Sequence, residues 1–265
     1  MKFQKYLIVT VLIILSCHID HGIEPIRSNI QGVIKYSGNW PGTPAEVRLV
    51  TATKFPPSDI NDLIIGESIP LSGDTYEYIF YLKSETYKLI GVAWREEGST
   101  WDIPSICGIY FPGTDSLSPG EVKISTDQTE VDSINIFVNR SKAHKVTDSK
   151  IVGSVNFEGA WPDSINEAYV IATTQFTFVP TLTMPTLLDI SFSSSIPAGT
   201  DSVGYTINAF PGNYVATGII FFKTGMSLSL EDILYSLQVG GLDFITQYEV
   251  QEDITVIGPD FNITF

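Results

Sequence analysis

Apolar and aromatic residues occur along the chain in short runs, and many of these runs alternate with polar positions. Residues 76–80 place an aromatic side chain at every second position, and residues 213–221 form a longer run rich in aromatic and β-branched residues. Such runs favour pleated strands. Turn-forming residues separate them at 72–74, 112–115 and 198–201. Short strands between regular turns predict an all-β sandwich architecture.

One segment, residues 229–237, has helical periodicity instead. Ser229 is a favourable N-cap residue, and two acidic residues follow in the first turn. Ile233, Leu234 and Leu237 then fall on one face. We therefore predict one short helix, located in the second half of the chain.

The chain contains an internal duplication. Residues 32–55 align with residues 153–176 without a gap, at an offset of 121. After an insertion of six residues the alignment resumes at an offset of 127, where both copies contain Ser-Ile-Pro. At the same offset, residues 133–138 correspond loosely to residues 260–265. The identical residues at the start of the alignment include the pairs Trp40/Trp161 and Pro41/Pro162.

The duplication predicts two tandem β-sandwich domains. We place domain 1 at residues 29–139, a basic linker at 140–150 and domain 2 at 151–265. The tryptophan-proline pairs Trp40-Pro41 and Trp161-Pro162 mark equivalent strand ends, and their recurrence indicates packing that each copy needs; an exposed platform is the alternative. The single helix belongs to domain 2.

Strand motifs in each copy resemble those of a known family. Residues 74–78 (DTYEY) and 85–89 (ETYKL) in copy 1 correspond to 204–207 (GYTI) and 212–216 (GNYVA) in copy 2. This order resembles the prealbumin-like, Greek-key β-sandwich of carboxypeptidase regulatory-like and transthyretin-like domains. The resemblance implies a structural, sugar-binding or interaction module and does not imply catalysis. An immunoglobulin-like sandwich is the alternative fold.

The N-terminus has the features of an export signal. Lys2 and Lys5 precede a ten-residue apolar stretch, which is shorter than the ~20 residues of a membrane-spanning helix. Residues 1–16 are thus a predicted signal peptide. The following Ile-Leu-Ser-Cys ending at Cys17 resembles a bacterial lipobox, which implies cleavage before Cys17 and its acylation. Several acyl chains on Cys17 would anchor the protein stably in a membrane, with residues 17–28 as a tether. The alternative is an ordinary secretory signal peptide.

Sorting within the envelope is indicated by His18. By analogy with enteric bacteria, a residue other than aspartate after the lipidated cysteine favours the outer membrane. We therefore expect a lipid-anchored protein of the bacterial cell envelope, in contact with a membrane through Cys17. Which face of the outer membrane it occupies stays open.

Composition excludes several functional classes. The 265 residues carry 30 acidic and 15 basic side chains, a net charge of −15, which argues against nucleic acid as a partner. Domain 1 carries −8, domain 2 carries −11 and the linker +3. Two cysteines exclude a disulfide scaffold. The three histidines, His18, His21 and His144, lie outside both predicted domains, which removes histidine-based triads and zinc sites from them.

Few remaining residues suggest chemistry. Cys107 lies in an apolar run and is expected in the core. Asp59, Asn61 and Asp62 resemble a fragment of a calcium loop without its remaining ligands, so a polar loop is favoured. Trp101, in a polar loop, is either a stacking surface for a sugar or partner or a loop anchor. We predict no catalytic residues, no metal site and no cofactor.

These observations favour a monomeric, non-catalytic envelope lipoprotein. Its two β-sandwiches would bind a protein partner or provide structural support. A carbohydrate-binding lipoprotein is the second hypothesis, with Trp101 as its candidate contact. A glycoside hydrolase using two acidic residues is the third, because acidic residues are plentiful although no pair has a distinctive spacing.

Overall fold

The computed structural model describes residues 28–113, 116–126, 130–176, 186–223 and 247–265, with short pieces at 235–236, 238–239 and 241–243. The predicted signal peptide, Cys17 and the tether up to residue 27 lie outside the described residues. So does most of the predicted helix at 229–237, of which Tyr235 and Ser236 are described as helical. The described part of the chain contains no helix with the length and apolar character needed to cross a membrane.

The protein is all-β, as predicted, and each repeat forms a β-sandwich. The described strands of repeat 1 are β1 (Ser28–Ser37), β2 (Pro44–Ala52), β3 (Ile64–Ile69), β4 (Thr75–Leu82), β5 (Thr86–Tyr87), β6 (Leu89–Glu96), β7 (Ile106–Ile109), β8 (Val122–Lys123), β9 (Glu130–Val131) and β10 (Ile136–Asn139). Those of repeat 2 are β11 (Lys150–Glu158), β12 (Ile165–Thr173), β13 (Ile190–Phe192), β14 (Ile196–Pro197), β15 (Ser202–Asn208), β16 (Gly212–Tyr214), β17 (Ala216–Lys223), β18 (Leu242–Asp243), β19 (Tyr248–Val250), β20 (Thr255–Ile257) and β21 (Phe261–Thr264). Short 3₁₀ helices occur at Ile60–Asp62, Ile103–Ser105, Arg140–Lys142 and Leu187–Asp189.

Each sandwich has the same two sheets. In repeat 1, one sheet has the order β4-β1-β10 and the other β3-β2-β6-β7, and pairing of β7 with β10 joins them. In repeat 2, β11 pairs with β15, β20 and β21, while β12 pairs with β13, β14 and β17. The first strand of each repeat is antiparallel to one neighbour and parallel to the last strand. The fold therefore repeats with the sequence.

Cross-strand register confirms the duplication residue by residue. Partners in one repeat recur as partners in the other: Gly32–Tyr78 and Gly153–Tyr205 in the first sheet, Val47–Trp94 and Ala168–Phe221 in the second. In each pair the first residue follows the offset of 121 and the second residue follows the offset of 127, the two values found in the sequence. The six-residue insertion therefore lies between the second strand of the repeat and the strands that follow it.

The alignment of the last strands was wrong by two residues. Ile34 lies opposite Ile136, and its equivalent Val155 lies opposite Phe261. Ile136 thus corresponds to Phe261, an offset of 125 and not 127. A shift of two residues keeps every side chain on the same face of a strand, so the hydrophobic pattern alone did not distinguish the registers.

A repeated tyrosine hydrogen bond supports the corrected register. The Tyr78 hydroxyl donates to the carbonyl oxygen of Ile134 at 2.7 Å, and the Tyr205 hydroxyl donates to that of Pro259 at 2.8 Å. The two acceptors are also related by an offset of 125. In both repeats this bond ties the strand after the turn to the segment that leads into the last strand.

Apolar side chains form three buried clusters. Two of them fill the interiors of the sandwiches. The third, which we call the inter-repeat core, combines residues of both halves: Val50, Ala52, Leu63, Leu89, Ala93, Ile106, Ile109 and Leu117 from repeat 1, and Tyr169, Ile171, Leu187, Ile190, Ile220 and Phe222 from repeat 2. The two sandwiches are therefore packed against each other.

Candidate functional site between the repeats

The inter-repeat core exists because strand β2 and its equivalent β12 are apolar on both faces. Leu49 points into its own sandwich, whereas Val50 points into the inter-repeat core. In repeat 2, the equivalent residues Val170 and Ile171 divide in the same way. Successive side chains of a strand point to opposite sides, so each of these strands is covered by two apolar layers.

The two repeats contribute equivalent surfaces to this core. Ala93 of β6 corresponds to Ile220 of β17, and both are buried there. The 3₁₀ helices Ile60–Asp62 and Leu187–Asp189 are also equivalent, at an offset of 127, and both border the core. Equivalent surfaces of the two repeats therefore pack against each other, as identical surfaces do in a two-fold symmetric dimer. Here both surfaces belong to one chain.

The linker at 140–150 is bound to both repeats. Lys142 Nζ lies 2.9 Å from Asp189 Oδ2, and Lys145 Nζ lies 2.9 Å from Glu96 Oε2. The Trp94 indole N–H donates to the carbonyl oxygen of His144 at 2.9 Å. Asp189 is almost fully buried, and burying a charged carboxylate without a partner is costly. Its ion pair with Lys142 offsets this cost.

His144 lies at the junction between the repeats. Its ring stacks on Phe210 of repeat 2, with centroids 3.5 Å apart and planes within 8°. Burial lowers the pKa of His144 to about 4, although Asp189 and the backbone of Leu188 favour its charged form. Its Nε2 atom is buried without a hydrogen-bond partner. Sequence reasoning placed His144 in a linker outside any site and did not anticipate this position.

A small cavity adjoins His144. It has a volume of about 70 Å³ and is lined mainly by apolar residues of both repeats, among them Phe55, Ile103, Phe192 and Phe210. A water molecule needs about 10–15 Å³ of such volume, so there is room for a few water molecules. The cavity lies at the interface between the repeats.

Trp101 is placed against the inter-repeat core. The residue is partly buried and packs on this cluster. The Arg95 guanidinium carbon lies 5.4 Å from the ring centroid and covers one face of the indole. Arg95 is held in turn by Glu46, at 2.9 Å.

Trp40 and Trp161 pack on the interiors of their sandwiches. Trp40 stacks on Trp94 with centroids 5.4 Å apart, and Trp161 lies 4.6 Å from the ring centroid of Phe157. Both tryptophans are partly buried and pack against the buried clusters of their own repeats. Pro41 and Pro162 follow them at the equivalent turns, before β2 and β12.

Polar residues that suggested chemistry have structural partners. Asp59 accepts the backbone N–H of Asn61 at 2.7 Å, and Asp62 accepts that of Ser58 at 2.6 Å, so both carboxylates shape the turn. The Cys107 thiol is buried, and burial raises its pKa well above the usual range. Within the described residues, no three His, Cys, Asp or Glu side chains are grouped as a metal site requires.

Comparisons with known proteins give weak likenesses. No protein-family model matches the sequence, and the comparison with curated proteins gives no match. A leucine-rich repeat protein from Bacteroides thetaiotaomicron is 12% identical, with a TM-score of 0.37, over 89% of this chain and 26% of that protein. The chain thus spans about a quarter of that relative's length.

Two adhesin candidates from Bacteroides ovatus are also similar. One is 12% identical over 90% of this chain and 92% of its own, with a TM-score of 0.24. The other is 11% identical over 90% and 87%, with a TM-score of 0.22. Likenesses at this level carry no functional conclusion, so the proposals below depend on the sequence and on the geometry of the chain.

Proposed function

We propose that the chain is a non-catalytic lipoprotein of the bacterial cell envelope, a binding or support module made of two prealbumin-like sandwiches. The observation that supports the module is the inter-repeat core, which fixes the two sandwiches against each other. Ion pairs from Lys142 and Lys145 hold the linker between them. A rigid body of this kind suits presentation of loops and edges to a protein partner.

The use of buried polar groups supports a role without catalysis. The hydroxyl groups of Tyr78 and Tyr205 hold backbone carbonyl oxygens, and desolvation raises the pKa of Tyr78 well above its usual value. Asp189 accepts from Thr186 and pairs with Lys142. The pKa of Tyr78 is raised because the fold buries its hydroxyl, and burial for structural reasons is an alternative to catalysis as the cause of a shifted pKa.

The anchoring part of the proposal is based on the sequence around Cys17. The strongly acidic second repeat, at −11, would be repelled from anionic lipid and would project away from the membrane. The outer membrane is the proposed location. A partner protein of the envelope is the proposed ligand, and a glycan bound near Trp101 is the alternative that the sequence left open.

Incorporation of radiolabelled palmitate tests the anchor directly. The chain has two cysteines, so Cys17→Ser and Cys107→Ser form a matched pair of variants. We expect the Cys17→Ser protein to lose the label and to leave the membrane fraction, while Cys107→Ser retains both properties. Label that persists on Cys17→Ser would contradict lipidation at this residue.

A further inference from the structure

Strand β4 lies at the edge of its sheet. One side of β4 pairs with β1 over eight residues, from Ser28–Leu82 to Lys35–Thr75. Among the described residues, no strand pairs with the other side. An edge of this length presents unpaired N–H and C=O groups to which another strand can add.

The equivalent edge in repeat 2 is partly closed. Ile207 of β15 forms an antiparallel bridge with Ser193. The corresponding positions in repeat 1 are Phe80 and Gly66. There the Phe80 ring packs against Gly66, because a Cβ atom added to Gly66 would lie 2.7 Å from the ring. The duplication therefore provides an internal comparison in which one edge is bridged and the other is open.

The outward side chains of the two edges also differ. Ile79 and Tyr81 of β4 are 53% and 56% exposed. Their equivalents in β15 are Thr206 and Asn208, which are polar. Of these two edges, β4 is thus the one with exposed apolar residues, which an added strand would help to cover.

The charges at the two ends of this edge match a strand of the same sequence. Glu77 of β4 and Lys83, which directly follows the last residue of β4, are both exposed, and they stand three residues before and three residues after Phe80. Ile79 and Tyr81 flank Phe80 symmetrically. In an antiparallel pair centred on Phe80, each position faces the one at the same distance on the other side of the centre. Such a pair would place Glu77 opposite the partner's Lys83 and Ile79 opposite the partner's Tyr81.

We propose that β4 is a self-association edge, which pairs antiparallel with β4 of a second copy about a two-fold axis at Phe80. The register gives two ion pairs and two apolar cross-strand pairs, and it extends the sheet formed by β10, β1 and β4 into the second copy. Opposite charges and aromatic–aliphatic pairs directly across a ladder are stabilising, whereas like charges are not. A monomer was expected from the sequence, where the open edge could not be recognised.

Charge reversal tests the register. Sedimentation equilibrium of the purified full chain, in detergent matched to the solvent density, measures the dimer dissociation constant. Glu77→Lys places like charges opposite each other twice per dimer, as does Lys83→Glu, and we expect each to weaken association about tenfold. The double variant Glu77→Lys/Lys83→Glu restores opposite charges and should recover the dimer. Failure of the double variant to recover it would overturn this register.

Exchanging residues between the repeats tests the edge itself. Ile79→Thr gives β4 the residue of β15, and Thr206→Ile gives β15 the residue of β4. We expect the first variant to weaken the dimer and the second to leave it unchanged, because β15 is bridged. Circular dichroism confirms that both variants are folded. A wild-type chain that stays monomeric up to millimolar concentration, or equal effects of the two variants, would refute the proposal.

Discussion

Protonation of His144 should destabilise the packing of the two repeats. The neutral ring is stacked on Phe210, and its Nε2 atom is buried without a partner for the additional proton. Two charged groups act on it: Asp189 favours the imidazolium, and Lys142 opposes it. Because burial is the largest effect, the folded protein binds this proton less readily than the unfolded chain does.

The size and direction of the effect follow from the pKa. The pKa is about 4 in the folded protein and 6.5 for the unperturbed side chain. Stability from neutral His144 is therefore complete above about pH 6.5 and is lost as the pH falls towards 4. Each pKa unit corresponds to about 1.4 kcal/mol, so the loss between pH 7.5 and pH 4.5 is of the order of 2.5 kcal/mol.

Urea denaturation of wild type and His144→Phe at these two pH values measures this contribution. The phenylalanine keeps an aromatic ring against Phe210 and cannot be protonated. Carboxylates that titrate in the same range are common to both proteins and cancel in the comparison. We expect the variant to lose about 2.5 kcal/mol less than wild type on acidification. Equal losses in the two proteins would refute the placement of a buried neutral histidine at the junction.

Three further predictions follow from individual contacts. Lys142→Met leaves the buried carboxylate of Asp189 unpaired and should lower the free energy of unfolding by about 3 kcal/mol, measured at pH 7 in urea. Tyr78→Phe and Tyr205→Phe remove equivalent hydrogen bonds and should each cost about 1 kcal/mol; a large difference between them would contradict the equivalence. Trp101→Ala should lower the melting temperature, through loss of about 3 kcal/mol of packing, without changing the binding profile on a glycan array; lost glycan binding in a folded variant would instead support the carbohydrate alternative.

The sequence was sufficient to predict the duplication and the all-β class, because both depend on local signals. Gly32 and Tyr78 recur as Gly153 and Tyr205, and they keep the same cross-strand pairing in the structure. The last strand was assigned the wrong register because a two-residue slip preserves the inward and outward faces. That error needed the pairing of Ile136 with Ile34 to be corrected.

The inter-repeat core was not predicted, although one signal for it was present. Residues 216–222 of β17 are all buried, without the polar alternation of a strand that has one face in water. A continuous apolar strand indicates cover on both faces. The sequence does not indicate what packs against the second face of β17. In the structure, the equivalent sheet of repeat 1 packs there. The role of His144 depends on this long-range packing and has no local signature.

The inter-repeat core should make the two sandwiches unfold as one unit. Differential scanning calorimetry of the full chain tests it most directly, with Ile171→Asp as a variant that places a charge in that core. For wild type, one transition is predicted, with equal calorimetric and van't Hoff enthalpies, and for the variant two separate transitions. Two independent transitions in the wild-type chain would contradict the account.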